Sequence, residues 1–161
     1  MKLSEHFSLE EFTESDTAAR KGISNAPPPE IVIRLRYSAD RLELIRRDVL
    51  RGAPILISSG YRSPALNKAV GGASTSAHCA GYAVDFKAPA FGSPLQVAKA
   101  IAANPGAMEG VDQLIHEFGR WVHISFDPRA RKQLLTVGAV YGGAKRTAPG
   151  LVEISKDGPR K

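Results

Sequence analysis

Residues 111–126, VDQLIHEFGRWVHISF, decide the architecture of this 161-residue chain. Two runs rich in apolar and β-branched residues, Val111 to Phe118 and Trp121 to Phe126, are separated by Gly119-Arg120. Strand-like runs divided by so short a glycine-containing interruption predict a β-hairpin. We therefore expect these residues to form neighbouring antiparallel strands.

The residues before this hairpin are dominated by helical signals. Ser8-Leu9-Glu10-Glu11 has the form of a capping box, which begins a short helix, and a second short helix is expected from Asp16 to Lys21. Apolar residues recur every three or four positions from Glu30 to Arg51, which predicts the longest helix with one face on the core. The first third of the chain is therefore helical.

Strand signals dominate after residue 53. Pro54 to Ser58 and Ala80 to Phe86 are expected to be strands, Ser93 to Ala103 a helix, and Gln133 to Val137 an edge strand. Helices first, followed by strands with one interrupting helix, predict the α+β class. We expect a small antiparallel sheet with helices packed on it.

Composition limits the class of protein. Hydrophobic residues make up 43% of the chain and charged residues 24%, which is enough for one core and excludes a fibrous or wholly disordered protein. No apolar run approaches the roughly 18 residues of a membrane span, and Met1 to Glu11 has no signal-peptide core. We expect a monomer made in the cytoplasm and not inserted in a membrane. Because there is a single cysteine, any metal site must use histidines and carboxylates.

The net charge of +6 is concentrated at the C-terminus. From Arg129 onward eight Lys and Arg face two Asp and Glu, so residues 1–128 are neutral. We divide the chain into a domain over residues 1–140 and a basic, loosely ordered tail over residues 141–161. The tail either attracts a polyanion or is a solvated terminus. A specific nucleic-acid binder would interleave basic and aromatic residues on one face, whereas only Tyr141 accompanies this charge.

Three candidate metal ligands lie at or near the predicted strands. His78 precedes one strand, Asp85 lies on it, and His123 lies on a later one. Two imidazoles and one carboxylate suit zinc, and three protein ligands leave a fourth tetrahedral position for water. An open position indicates a catalytic site, in which the metal lowers the pKa of water toward about 7.

The residues around these ligands resemble a known family. Residues 76–85, SAHCAGYAVD, match the S-x-H-x-x-G-x-A-x-D signature of the zinc D-Ala-D-Ala peptidases, and residues 121–123, WVH, resemble their W-x-H element. The likeness is closest to the small members found among phage lysins and bacterial wall enzymes. It continues through residues 6–12, 58–63, 71–72 and 112–115 with Asn67, and so spans residues 6 to 127.

The resemblance implies a Hedgehog/D,D-peptidase-like fold with one zinc per chain, held by His78, Asp85 and His123. It implies a hydrolase that cuts peptidoglycan stem peptides, either as a carboxypeptidase or as an endopeptidase, in a phage or prophage endolysin or a bacterial wall peptidase. Such a protein would reach the cell wall through lysis-protein release or from a virion. The alternative is a zinc-bearing binding module of the same fold without catalysis.

Members of this family also use an acidic general base shortly before the last histidine. Glu117 is the acid in that position here, although many relatives place the acid where this chain has Arg120. A hairpin with a two-residue turn would put Glu117 on the face opposite His123, and a longer loop would reverse that. His116 is the competing candidate.

Three further residues are candidates for contact with the substrate. Arg62 is expected to hold an oxyanion or a carboxylate with charge-assisted hydrogen bonds, or else to be a surface arginine. Ser76 either binds the substrate or is an ordinary loop serine. Gln113 either lines the pocket or is a polar strand residue.

Overall fold

A computed structural model describes residues 1–140 and 142–160. Tyr141 and Lys161, at the two ends of the predicted tail, lie outside the described residues. The helices are α1 (Leu9–Thr13), α2 (Asp16–Lys21), α3 (Pro29–Asp48), α4 (Pro64–Ala69) and α5 (Pro94–Ala102). The strands are β1 (Leu56–Ser59), β2 (Ala83–Lys87), β3 (Gln113–Glu117), β4 (Trp121–Ser125), β5 (Gln133–Ala139), β6 (Lys145–Pro149), β7 (Ile154–Ser155) and β8 (Gly158–Pro159).

Six of these strands form one sheet in the order β1-β2-β4-β3-β5-β6, and β7 and β8 form a separate pair. The α+β class is confirmed, but the sheet is mixed, because β5 runs parallel to β3. The connection after β4 explains this difference. Ser125 at the end of β4 and Gln133 at the start of β5 both pair with Gln113, so a short loop crosses the beginning of β3.

The helices begin and end where local chemistry dictates. Ser8 caps α1 with a complete capping box, since its backbone N–H donates to Glu11 Oε2 at 2.8 Å. Helix α3 ends at Asp48, three residues before the predicted end, and turns through Gly52 at φ 80°. Among the described residues, none of the helices is both long and apolar enough to cross a lipid bilayer.

Side chains of the central strands alternate between two faces, so the core and the functional site lie on opposite faces of the sheet. On one face, Val84, Leu114 and Ile124 are fully buried in the core together with one side of α3 and with α5. On the other face, Asp85 of β2 lies beside His123 of β4. Because side chains alternate along a strand, the register that fixes the core also fixes the site.

The segment after residue 140 differs from the predicted loosely ordered tail. Strand β6 pairs with β5 over five residues and continues the main sheet. Gly142 and Gly143, which belong to the predicted tail, have φ of 93° and 84° and lie in the turn between these strands. Lys145 and Arg146 on the edge strand oppose pairing with another chain.

Gly60 holds the site close to helix α1, and its replacement tests this packing. A Cβ atom at Gly60 would lie 2.5 Å from the Phe12 carbonyl oxygen. We expect Gly60→Ala to destabilise the fold by about 1–3 kcal/mol through overpacking. Gly106→Ala, whose Cβ would meet only Asn104 Oδ1 at 3.4 Å, is the control. Equal melting temperatures for both variants in thermal unfolding would contradict this prediction.

Candidate functional site

The three predicted ligands meet on the face of the sheet opposite the core. Asp85 and His123 are direct cross-strand partners on β2 and β4, and His78 approaches from the loop before β2. Asp85 Oδ1 lies 2.8 Å from His123 Nδ1 and 3.2 Å from His78 Nε2. One ligand atom from each residue falls within 4.8 Å of the others. The pairing of β2 with β4 therefore brings together ligands that lie far apart in the sequence.

The electrostatics of this group favour a cation. Burial raises the pKa of Asp85, but the charge of His78 and the hydrogen bonds of both imidazoles hold it far below its usual range. Burial lowers the pKa of His123, yet the hydrogen bond to Asp85 raises it above the ordinary value. Asp85 therefore stays ionised next to two nitrogen ligands.

Surrounding groups fix the orientation of the ligands. His78 Nδ1 lies 2.6 Å from the Gly60 carbonyl oxygen, so Nδ1 carries the proton and Nε2 presents its lone pair. Arg62 donates to Asp85 Oδ2 at 2.9 Å and to Ser59 Oγ at 3.0 Å. Arg62 thus occupies one carboxylate oxygen and leaves Oδ1 facing the imidazoles.

This donor set fits a zinc ion. Two imidazole nitrogens and one carboxylate oxygen converge, and the histidine His78 is already held by a backbone carbonyl, as zinc ligands commonly are. His78, Asp85 and His123 are the residues that would hold the ion. Three ligands are the usual number at a catalytic zinc site.

The hairpin loop decides which face carries Glu117. Glu117 pairs with Trp121, and Ile115 pairs with His123, so the loop has three residues. The two-residue pairing considered from the sequence is wrong, and the longer loop is present. Phe118 and Gly119 at its tip have φ of 55° and 67°. Glu117 therefore lies on the same face as His123.

His116 lies on the opposite face from the three ligands. It pairs with Val122, and its Nδ1 lies 3.1 Å from the carbonyl oxygen of Val152. Only 3% of its surface is exposed. The structure thus does not bring this competitor for the base role to the ligand group.

Glu117 has the environment of a tuned carboxylate. Burial raises its pKa above the ordinary value, although the charge of His123 and the hydrogen bond from Trp121 act in the other direction. Trp121 Nε1–H donates to Glu117 Oε2 at 2.9 Å. A carboxylate with a raised pKa is suited to general base and acid work near neutral pH.

Two clefts meet at Glu117. The Arg62 cleft, of about 450 Å³, also contains Asp85, Trp121 and Lys145. The Arg129 cleft, of about 350 Å³, has the following lining: Ala73, Thr75, Ser76, Ala77, Gln113, Ile115, Glu117, His123, Arg129 and Arg131. The two candidate substrate residues of the second cleft already have protein partners. Ser76 Oγ accepts from the His78 N–H, and Gln113 Nε2 donates to Gln133 Oε1.

A larger cavity, of about 790 Å³, lies between the end of α3 and α5. Its lining includes Arg51, Phe91 and Lys99 but no carboxylate and no imidazole. It therefore lacks the groups that hydrolysis requires.

Several contacts of the site have no sequence signal of their own. The Gly60 carbonyl that orients His78 is a backbone atom, which composition and motif cannot reveal. Trp121 belongs to the W-x-H element, but that motif does not reveal that its indole N–H donates to Glu117. Lys145 reaches the Arg62 cleft from β6, where its Nζ lies 5.9 Å from the centre of the Phe118 ring.

The contact between Trp121 and Glu117 predicts a shift in the pH dependence of activity. Trp121→Phe removes a donor that lowers the pKa of Glu117, so the carboxylate should remain protonated to higher pH. Because a base must be ionised, the acidic limb of the kcat/KM profile should move to higher pH. An unmoved limb with reduced kcat at every pH would contradict this role.

Comparison with known families agrees with this geometry. No curated protein matches the sequence. A family model described as Peptidase M15 matches residues 5–125, which include Arg62, Glu117 and all three ligands. This match covers well over half of the chain, and it ends with β4. The chain therefore belongs to the Peptidase M15 family, the zinc D-Ala-D-Ala carboxypeptidase family.

Proposed function

We propose that this protein is a zinc peptidase that hydrolyses peptide bonds of bacterial peptidoglycan. The observation that carries the proposal is the position of Glu117, on the same strand face as His123 and in contact with both clefts. Metal-assisted hydrolysis needs a carboxylate that accepts a proton from the attacking water, placed beside the residues that would hold the zinc ion.

Each residue of the site has a part in this reaction. A zinc ion, when bound, lowers the pKa of water and polarises the carbonyl under attack. Glu117 accepts a proton from the attacking water and returns it to the leaving amine. Arg62, held by Asp85 and Ser59, donates its remaining N–H groups to the developing oxyanion. Ser76 and Gln113 contact the peptide on the His123 side.

The cell wall as the place of action is part of the proposal. The family is that of the zinc D-Ala-D-Ala carboxypeptidases, and a basic C-terminal segment suits an anionic wall. We propose the role of a phage or prophage endolysin, made in the cytoplasm and reaching the wall through lysis-protein release or from a virion. A non-catalytic binding module is the alternative, and the presence of Glu117 beside the ligands favours the enzyme.

Digestion of purified sacculi tests this function. The zinc-loaded protein should release peptide fragments, which mass spectrometry identifies and amine labelling counts. Removal of the metal with 1,10-phenanthroline should stop the release, and added Zn²⁺ should restore it. Intact sacculi together with tight binding of the protein to them would favour the binding module instead.

A further inference from the structure

Two clefts flank the candidate metal group. Asp85 lines the Arg62 cleft, His123 lines the Arg129 cleft, and Glu117 lines both. Gln113 and Glu117 lie on the same face of β3, four residues apart, which is about 13 Å along a strand. An extended peptide of about four residues covers that length. Both residues line the Arg129 cleft, so this cleft has room for several residues of the substrate.

The two clefts differ in charge. The Arg129 cleft carries two guanidinium groups, Arg129 and Arg131, and Glu117 is the carboxylate in its lining. The Arg62 cleft has four carboxylates, of Glu14, Asp16, Asp85 and Glu117, against two cations, Arg62 and Lys145. A carboxylate of the substrate is therefore attracted to the first cleft and repelled from the second.

A buried aspartate holds the two arginines in place. The Asp112 side chain is fully buried and accepts from Arg131 through both carboxylate oxygens at 2.8 Å. Arg129 lies 3.5 Å from Asp112 and donates to Asp127 at 2.8 Å. Both guanidinium groups remain about half exposed, at 54% and 41%. Asp112 and Asp127 thus hold the two guanidinium groups in place, and the exposed part of each lines the Arg129 cleft.

We propose that Arg129 and Arg131 bind a carboxylate of the substrate on the His123 side of the cleaved bond. This inference rests on the proposed function. Both arginines lie beyond residue 125, outside the match to the family, so they are features of this chain's own C-terminal part. Asp112 is a positioning residue for them.

Soluble muropeptides, prepared from sacculi with a muramidase, provide the test. Their amines are first acetylated, and their carboxylates are then either left free or coupled to methylamine with a carbodiimide. The wild-type protein should cleave both substrates. The KM for the methylamide should be about 10-fold higher, because charge-assisted hydrogen bonds are lost.

Arg129→Gln should raise the KM for the free carboxylate about 10-fold and leave the KM for the methylamide unchanged. Arg47→Gln is the matched control, since Arg47 is an exposed arginine whose Nε lies 2.6 Å from a neighbouring aspartate, away from both clefts. It should change neither value.

One result would overturn the inference while leaving the proposed function in place. It is a KM for Arg129→Gln that rises equally for both substrates or does not rise. Absence of any cleavage by the zinc-loaded wild-type protein would instead contradict the proposed function.

Discussion

His123→Ala is expected to lose both bound zinc and peptidase activity. His123 supplies one of three candidate ligands, and two remaining ligands hold the metal far more weakly. Because the metal contributes several kcal/mol to the transition state, activity should fall by a factor on the order of 10³ or more. Elemental analysis of the purified variant measures the zinc, and release of amines from sacculi measures the activity.

A matched histidine variant separates this effect from damage to the fold. His116→Ala also removes a buried imidazole, from the neighbouring strand β3, but on the opposite face. It should keep zinc at one per chain and most of the activity, while losing some thermal stability. If His123→Ala retained stoichiometric zinc, or if His116→Ala lost it, the assignment of the ligands would be wrong.

Sequence alone predicted the ligand group and most of the elements for physical reasons. The apolar period of α3, the capping box at Ser8 and the paired runs of the hairpin are local signals, and local signals fix local structure. His78 and Asp85 lie within one short motif, so their proximity needs little tertiary information. Placing His123 beside them needed the family resemblance in addition.

The features that sequence reasoning left open depend on details of backbone geometry. Whether Glu117 faces His123 depends on one residue of loop length, and Phe118 adopts φ 55°, a conformation that a bulky residue rarely takes. The parallel pairing of β5 with β3 depends on where a loop crosses the sheet. The C-terminal segment is ordered by backbone hydrogen bonds between β5 and β6, and the polar side chains of β6 give no sequence signal for this pairing.

Glu117→Gln should retain zinc and lose most of its turnover. The amide has the same shape, and its oxygen can still accept the hydrogen bond from Trp121 Nε1, so the local structure should persist. A neutral amide cannot accept the proton of the attacking water, and general base catalysis contributes about 10²- to 10⁴-fold. We therefore expect kcat to fall by that factor, with KM and zinc content close to those of the wild type.

The control for this variant is Glu14→Gln, which neutralises an exposed carboxylate at the rim of the same Arg62 cleft. This variant also removes one negative charge from the cleft, but Glu14 is not the proposed base. Its kcat should therefore stay within about 2-fold of the wild type. If both variants lost activity equally, the effect would belong to the charge of the cleft. If Glu117→Gln kept normal turnover, a different group would have to accept the proton, and the three-residue loop that brings Glu117 beside His123 would have no catalytic meaning.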